Sequence, residues 1–286
     1  MSIKVMTDGS LDVPTELLKQ YDIPVVAPIV TVDGKEYRSG VDITIKEFFA
    51  AQRTAATLPT TSQPSPGQFT EAFEAALRDH DQILYVAISS ALSGTMNSAQ
   101  QAASEFPEGK IVLHDSCSVS AEGGLQVVAA ARAVVQGSTM EEAVAAVRKT
   151  QSESQLFFAL DDLTYLVKGG RVGRVAGAIG SLLNMKPIIT VNKEVGTLAP
   201  LTRIRTFRAA VKKLLDLATD VVGAGQPGRF IILYGEMEQE ANEFAGQLRQ
   251  QFDARWLHLT PIAPTLGAHT GPRALGVVVA PGDWPS

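Results

Sequence analysis

The chain has 286 residues, of which 45% are hydrophobic and 19% charged, and it carries a formal net charge of -5 at pH 7. This is enough apolar sequence for one large or two ordinary globular units, and it excludes a disordered chain; the acidic balance, with no basic stripe, argues against nucleic-acid binding. The single cysteine, Cys117, excludes an internal disulfide and a cysteine zinc cluster. With no signal-peptide pattern and no apolar run long enough to span a bilayer, the expectation is a soluble cytoplasmic protein with at most transient membrane contact.

In chain order, residues 3–6 predict a strand that ends in Thr7-Asp8-Gly9-Ser10. A helix is expected over 13–21, with Asp12 as its N-cap and Pro14 in its first turn. Strands are expected at 24–32, 83–88 and 111–114, and Asp33-Gly34 marks a hairpin turn. Residues 67–79 repeat apolar positions at helical spacing behind Ser65-Pro66-Gly67-Gln68, a capping-box pattern. Helices at 95–105, 121–136 and 139–151 follow. Alternating strands and helices imply a mainly parallel sheet, whose ligands bind beyond the strand carboxyl ends. Thr7-Asp8, Ser89-Ser90 and Asp115-Ser116 are therefore expected on one rim.

The pattern changes near residues 150–155. A strand at 156–160 and a helical region at 161–183 precede strands at 186–192 and 197–204, joined by a turn at 193–196. A helix at 206–221, a strand at 229–235, a helix at 237–251 and strands at 255–260 and 275–280 complete the chain. The expected fold is an N-terminal, mainly parallel α/β domain, residues 1–152, followed by an α+β C-terminal domain, residues 153–286.

The candidate chemistry centres on Ser89, Ser90, Ser93 and Thr95, where a strand hands over to a helix. A hydrolase elbow would need glycines on both sides of the serine, and Ser90 and Ser93 lack them. A base could come from His114 or His269, and Cys117 is a second possible nucleophile, so a serine- or cysteine-dependent hydrolase or acyltransferase is one reading. Neither nucleotide-binding glycine motif is present. Lys168-Gly169-Gly170-Arg171 reads either as a loose phosphate loop or as a helix end. Two hydroxyl-rich helix starts, at Thr60–Ser65 and Ser90–Thr95, suit a small anion such as a carboxylate, or are simple caps. His80 and His258 read as structural, and no metal-ligand spacing occurs.

Seven segments carry a resemblance: TDGSLDVP, TTSQPSPGQF, SSALSGTMNSA, HDSCSVSAEGG, LTYLVKGGRVGRVAGAIGSLLNMKPII, TRIRTFRAAVKKL and GAHTGPRALGV. In this order they resemble the bacterial DegV family of fatty-acid-binding proteins, over about residues 3–280. The resemblance implies a two-domain, non-catalytic protein that binds one long-chain fatty acid between or beneath its domains and has no other cofactor. It further implies an acyl-binding subunit that presents the fatty-acid carboxylate to a separate ATP-dependent kinase for acyl-phosphate formation, serving phospholipid metabolism. By the same resemblance Thr61 and Ser93 contact the carboxylate, His269 belongs to the head-group network, and Arg171 and Arg205 lie where the family places cations near the exit or the kinase-docking surface. Lys168, Arg171, Arg174, Arg203, Arg205 and Arg208 form two basic segments in this acidic chain. A lipid-responsive regulator without a kinase is the other reading. Two departures from the family pattern stand out, Gly9 after Thr7-Asp8 and Arg273 after Gly271-Pro272, the latter expected to place a cation near the head-group end.

Overall fold

The computed structural model describes residues 1–171 and 186–284. In chain order the elements are β1 (Ile3–Asp8), α1 (Thr15–Gln20), β2 (Val25–Val26), β3 (Ile29–Val32), β4 (Lys35–Arg38), α2 (Ile45–Thr54), β5 (Thr60–Ser62) and α3 (Pro66–Leu77). Next come β6 (Gln82–Ala87), α4 (Thr95–Ala103), β7 (Ile111–Asp115), α5 (Ser120–Val135), α6 (Met140–Glu153), β8 (Gln155–Leu160) and α7 (Thr164–Lys168). The chain ends with β9 (Lys186–Asn192), β10 (Thr197–Ile204), α8 (Phe207–Val222), β11 (Pro227–Tyr234), α9 (Glu238–Gln251), β12 (Asp253–Pro261), α10 (Pro264–Thr270) and β13 (Ala274–Pro281).

Three sheets result. The first is parallel throughout, in the order β2-β1-β6-β7. The second, in the order β10-β9-β8-β13-β11-β12, is antiparallel except at β11–β12. The third is a small antiparallel sheet, β4-β3-β5, whose β3–β4 hairpin turns at Asp33-Gly34 with φ of 47° and 81°. Both values are positive, as a two-residue hairpin turn that matches strand twist requires. The parallel sheet in the N-terminal part and the mixed sheet with helices in the C-terminal part are the fold class the sequence predicts.

Helix α5 lies between the two large sheets, packing on β1 and β6 on one side and on β8 and β11 on the other. An enclosed helix is mostly apolar around its circumference, and Leu125, Val127, Val128, Ala130 and Ala131 are all buried, with Glu122 and Gln126 as buried polar exceptions. Gly124 lets the β1–α1 loop approach closely, because a Cβ there would lie 3.0 Å from the Asp12 carbonyl oxygen. The inner strands of the second sheet are largely apolar on both faces. On β8, Leu156, Phe158 and Leu160 face α5, while Phe157 and Ala159 join the core under α8 and α9.

Three local expectations are corrected. Asp12 is not the N-cap of α1; Pro14 occupies that position and no side chain caps it. The buried Asp12 carboxylate instead accepts from Ser120 Oγ at 2.6 Å and from the Ala263 amide at 3.0 Å, two donors that would otherwise be orphaned in the core. The strand expected over 24–32 is two strands in different sheets, interrupted at Ala27-Pro28. Finally, α7 ends at Lys168, with Gly169 as C-cap and Gly170 at φ 71°, so the glycine pair is a helix end. The rest of the helical region expected to 183 falls from 172 onward outside the described residues.

Candidate functional site

The carboxyl ends of β1, β6 and β7 form the expected rim. Asp8 accepts from the Ile88 amide at 3.0 Å, and Asp115 accepts from the Ser90 and Cys117 amides. These groups build the rim rather than line a cleft. Ser89 Oγ donates to the Gly196 carbonyl at 2.7 Å, which docks the β9–β10 turn onto the first sheet. Lys193, in the same turn, reaches the fully buried Glu122 at 3.1 Å.

The docked hairpin closes one side of a cavity that holds about 830 Å³ of atom-free space, its open mouth included. The inward face of β8 supplies Leu156, Phe158 and Leu160. Ile189, Thr190 and Leu198 come from β9 and β10, and Ile88, Leu92 and Val119 from the rim. Helix α10 contributes Thr265, Leu266, His269 and Thr270, which recur at helical spacing on one face. Arg171 is the one charged residue among the described lining residues.

Thr61 and His269 meet although 208 residues separate them: Thr61 Oγ1 lies 2.8 Å from His269 Nε2. The small sheet makes this possible. Thr61 on β5 pairs with Val30 on β3, and α10 packs on the same sheet and on α2, where Ala268 meets Phe48 and Phe49 and Gln52 donates to the Gly267 carbonyl at 3.0 Å. Gly169 at the end of α7 makes room for the imidazole, since a Cβ there would sit 2.2 Å from His269 Nδ1. Burial, then the charge of Arg171, push the His269 imidazole down to about 4. It is therefore neutral at neutral pH. Its Nδ1 is buried without a partner among the described residues, and Nε2 makes the hydrogen bond to Thr61.

Ser93 lines the same cavity from the turn before α4. Its Oγ lies 2.8 Å from Thr95 Oγ1 and accepts from the Thr95 amide at 3.2 Å. Gln63, two residues after Thr61, packs against Gly94, where a Cβ would be 2.7 Å from Nε2. The β5 loop and the α4 start are thus in contact, which places Thr61 and Ser93 at neighbouring parts of the wall. Arg171 Nη1 donates to the Gly169 carbonyl at 2.8 Å. Arg205 is exposed and lies outside the described lining, as are Arg203 and Arg208; Arg174 falls outside the described residues.

Neither departure is among the described lining residues. Gly9 is pressed against Pro28, where a Cβ would come within 2.9 Å of the ring. Arg273 is not among the described lining residues; it donates to Asp161 at 3.0 Å and stacks over Phe207. Nor does the geometry form a nucleophile pair among the described residues. Ser93 bonds to Thr95, the cavity histidine bonds to Thr61, and burial followed by Asp115 pushes the Cys117 thiol up, away from the reactive thiolate. No three His, Cys, Asp or Glu side chains among the described residues could share a metal ion, and no described helix is long and apolar enough to cross a membrane.

Three elements of this site escape sequence periodicity: α2, β5 and α10. Only α2 advertises itself, through the capping box of Thr44 and Glu47. β5 and α10 are too short to show a period.

Fold and site together define an α/β protein of two large sheets and one small one, with an apolar cavity that carries a few polar groups. The DegV family pattern, described as an uncharacterised protein family, matches residues 2–282, and the chain belongs to that family. A DegV domain-containing protein of Deinococcus radiodurans is 39% identical over 99% of this chain and 97% of its own length. The solved structure of a DegV family protein from Thermus thermophilus, described for its fatty acid binding, is 29% identical with a TM-score of 0.88, covering 98% of this chain and 99% of that one. The crystal structure of DegV, a fatty acid binding protein from Bacillus subtilis, is 27% identical with a TM-score of 0.87, over 98% and 99% of the two chains.

Proposed function

We propose that this chain binds one long-chain fatty acid in the cavity, with the carboxylate at Thr61 and Ser93 and the tail among the leucine, isoleucine and phenylalanine side chains. The observation that carries this reading is the polarity of the cavity: one cation, Arg171, sits beside the Thr61–His269 pair, and the rest of the described wall is apolar or neutral. The fatty acids bound by the Thermus and Bacillus relatives support it.

A carboxylate only accepts hydrogen bonds. With a ligand bound, the Thr61 hydroxyl points its proton at the carboxylate, and Thr61 Oγ1 then accepts from His269 Nε2–H. The neutral imidazole fixes that proton direction, and Arg171 adds charge attraction. Deleting one hydroxyl donor costs about 1–3 kcal/mol when the oxygen it served stays buried. Thr61→Val with Ser93→Ala should therefore weaken binding of palmitate by roughly 30-fold or more while the thermal transition of the lipid-free protein is retained. Isothermal titration measures this, and equal affinities in parent and double variant would remove Thr61 and Ser93 from the carboxylate site.

The chain's role, in this reading, is that of a non-catalytic acyl carrier in the cytoplasm that presents the carboxylate to a separate ATP-dependent kinase, which makes the acyl phosphate. Neutral hydroxyls hold the head without enclosing it in charge, which leaves the carboxylate open to phosphoryl transfer. Exposed Arg203, Arg205 and Arg208 form a basic surface suited to an acidic partner, and steering of this kind weakens with salt. Arg205→Glu should slow kinase-dependent acyl-phosphate formation on the order of tenfold at low salt while lipid still copurifies. Unchanged rates at low and high salt would place docking elsewhere.

A further inference from the structure

Thr95, the first residue of α4, is 1% exposed, and its hydroxyl has one partner among the described residues, Ser93 Oγ at 2.8 Å. A threonine in a helix commonly gives its hydroxyl to the carbonyl four residues back, as Thr70 gives to Pro66 and Thr219 to Leu215. Thr95 makes no such bond among the described residues. Nor does the start of the helix call for the hydroxyl. Ser93 Oγ accepts from the Thr95 amide at 3.2 Å, and that bond needs only the backbone of residue 95. Valine would keep the amide and the side-chain shape and lose the hydroxyl alone.

The count of protons decides the direction of the Ser93–Thr95 bond. Each hydroxyl owns one proton and two acceptor positions. Were Ser93 the donor, the Thr95 proton would be buried with no described acceptor, at the cost of an unsatisfied polar group. With Thr95 as the donor that cost disappears. Ser93 Oγ then receives both the amide and the hydroxyl of Thr95, its acceptor positions are filled, and its own proton is directed away from Thr95. Ser93 lines the cavity. Its backbone is held as well: the Ser93 amide donates to the Ser89 carbonyl at 3.2 Å, and Ser89 is tied to the β9–β10 turn.

We infer that Thr95 is a positioning residue for the head group: its hydroxyl donates to Ser93 and turns the Ser93 proton to the ligand carboxylate. The inference rests on the reading that places the carboxylate at Thr61 and Ser93. Thr95 does for Ser93 what His269 does for Thr61. In each pair a buried neighbour fills an acceptor position of the clamp oxygen, so the clamp offers donors to a group that only accepts. A hydroxyl held this way before the ligand arrives has less freedom left to lose on binding.

The test is titration of palmitate into lipid-free protein. Thr95→Val and Thr95→Ala, which remove the hydroxyl and keep the amide, should each weaken binding about fivefold, and Thr95→Ser, which retains a hydroxyl, should bind as the parent does. In a Ser93→Ala background Thr95→Val should leave the affinity unchanged, since a residue that acts through Ser93 then has nothing to act on. Parent-like affinity in Thr95→Val and Thr95→Ala, with Ser93→Ala weakened, would overturn the inference and leave the carboxylate reading standing. A Thr95→Val loss of the same size with and without Ser93 would also overturn it, because the effect would then be one of packing. Ser93→Ala binding as tightly as the parent would overturn the carboxylate reading at Ser93, and the inference with it.

Discussion

Palmitate should bind the lipid-free protein roughly 10³- to 10⁴-fold more tightly than octanoate. Each methylene moved from water into an apolar wall contributes about 0.8 kcal/mol, so eight of them give about 6 kcal/mol before the chain's ordering cost is subtracted. Association itself costs on the order of 4–15 kcal/mol, more than two or three hydroxyl contacts supply. The tail therefore carries the affinity, and Thr61 and Ser93 orient the head. Ligand also raises stability by mass action, about 2.7 kcal/mol at 100 times its dissociation constant. Added palmitate should raise the melting temperature of stripped protein, and butyrate should not. Equal stabilisation by the two acids would show that the carboxylate, and not the chain, provides the binding.

The second large effect is on folding. Lys193→Met should destabilise the protein by about 3–5 kcal/mol, read as a lower midpoint in urea. Lys193 spans from the β9–β10 turn to Glu122 on α5, whose side chain is fully buried. It also donates to the Gln151 and Ser154 carbonyls, and Ser118 Oγ donates to Glu122 at 2.6 Å. Without the ammonium, Glu122 keeps its burial and loses its countercharge. Burial already pushes its carboxyl up, against the opposing pull of Lys193 and the hydroxyls. In the variant it rises further, so the folded carboxyl titrates above the unfolded one. Stability in the variant is then greatest below the unfolded pKa of about 4.5 and falls as pH rises through the folded value. The deficit against the parent should shrink on acidification. Adding Glu122→Gln should recover much of the stability at neutral pH. A Lys193→Met protein as stable as the parent at pH 7 would show that the turn is not anchored by this pair.

The pair also shows what the sequence can and cannot convey. The bounds of β9 and β10 are legible at 186–192 and 197–204 because alternation ends sharply at the Lys193–Gly196 turn. The same pattern is silent on Glu122, since nothing local says that a helix acid and a turn lysine 71 positions apart will meet. Capping at Ser65 and the Asp33-Gly34 hairpin are local chemistry and are readable directly. The cavity wall is not. Leu156, Phe158 and Leu160 look like any buried strand, and their neighbours Phe157 and Ala159 are equally apolar, so periodicity cannot tell a cavity face from a packed core. Asp12 fails for the opposite reason: its position suits a helix cap, and two distant donors override that local role. Thr61, Ser93 and His269 are individually visible as polar residues in family motifs, whereas the 2.8 Å contact between Thr61 and His269 needs the small sheet to bring α10 across.

Native mass spectrometry of the protein as purified tests lipid binding most directly. One long-chain fatty acid per chain is the expected adduct, removed by organic extraction and restored by added palmitate. A chain that carries no acid and accepts none after extraction would contradict it.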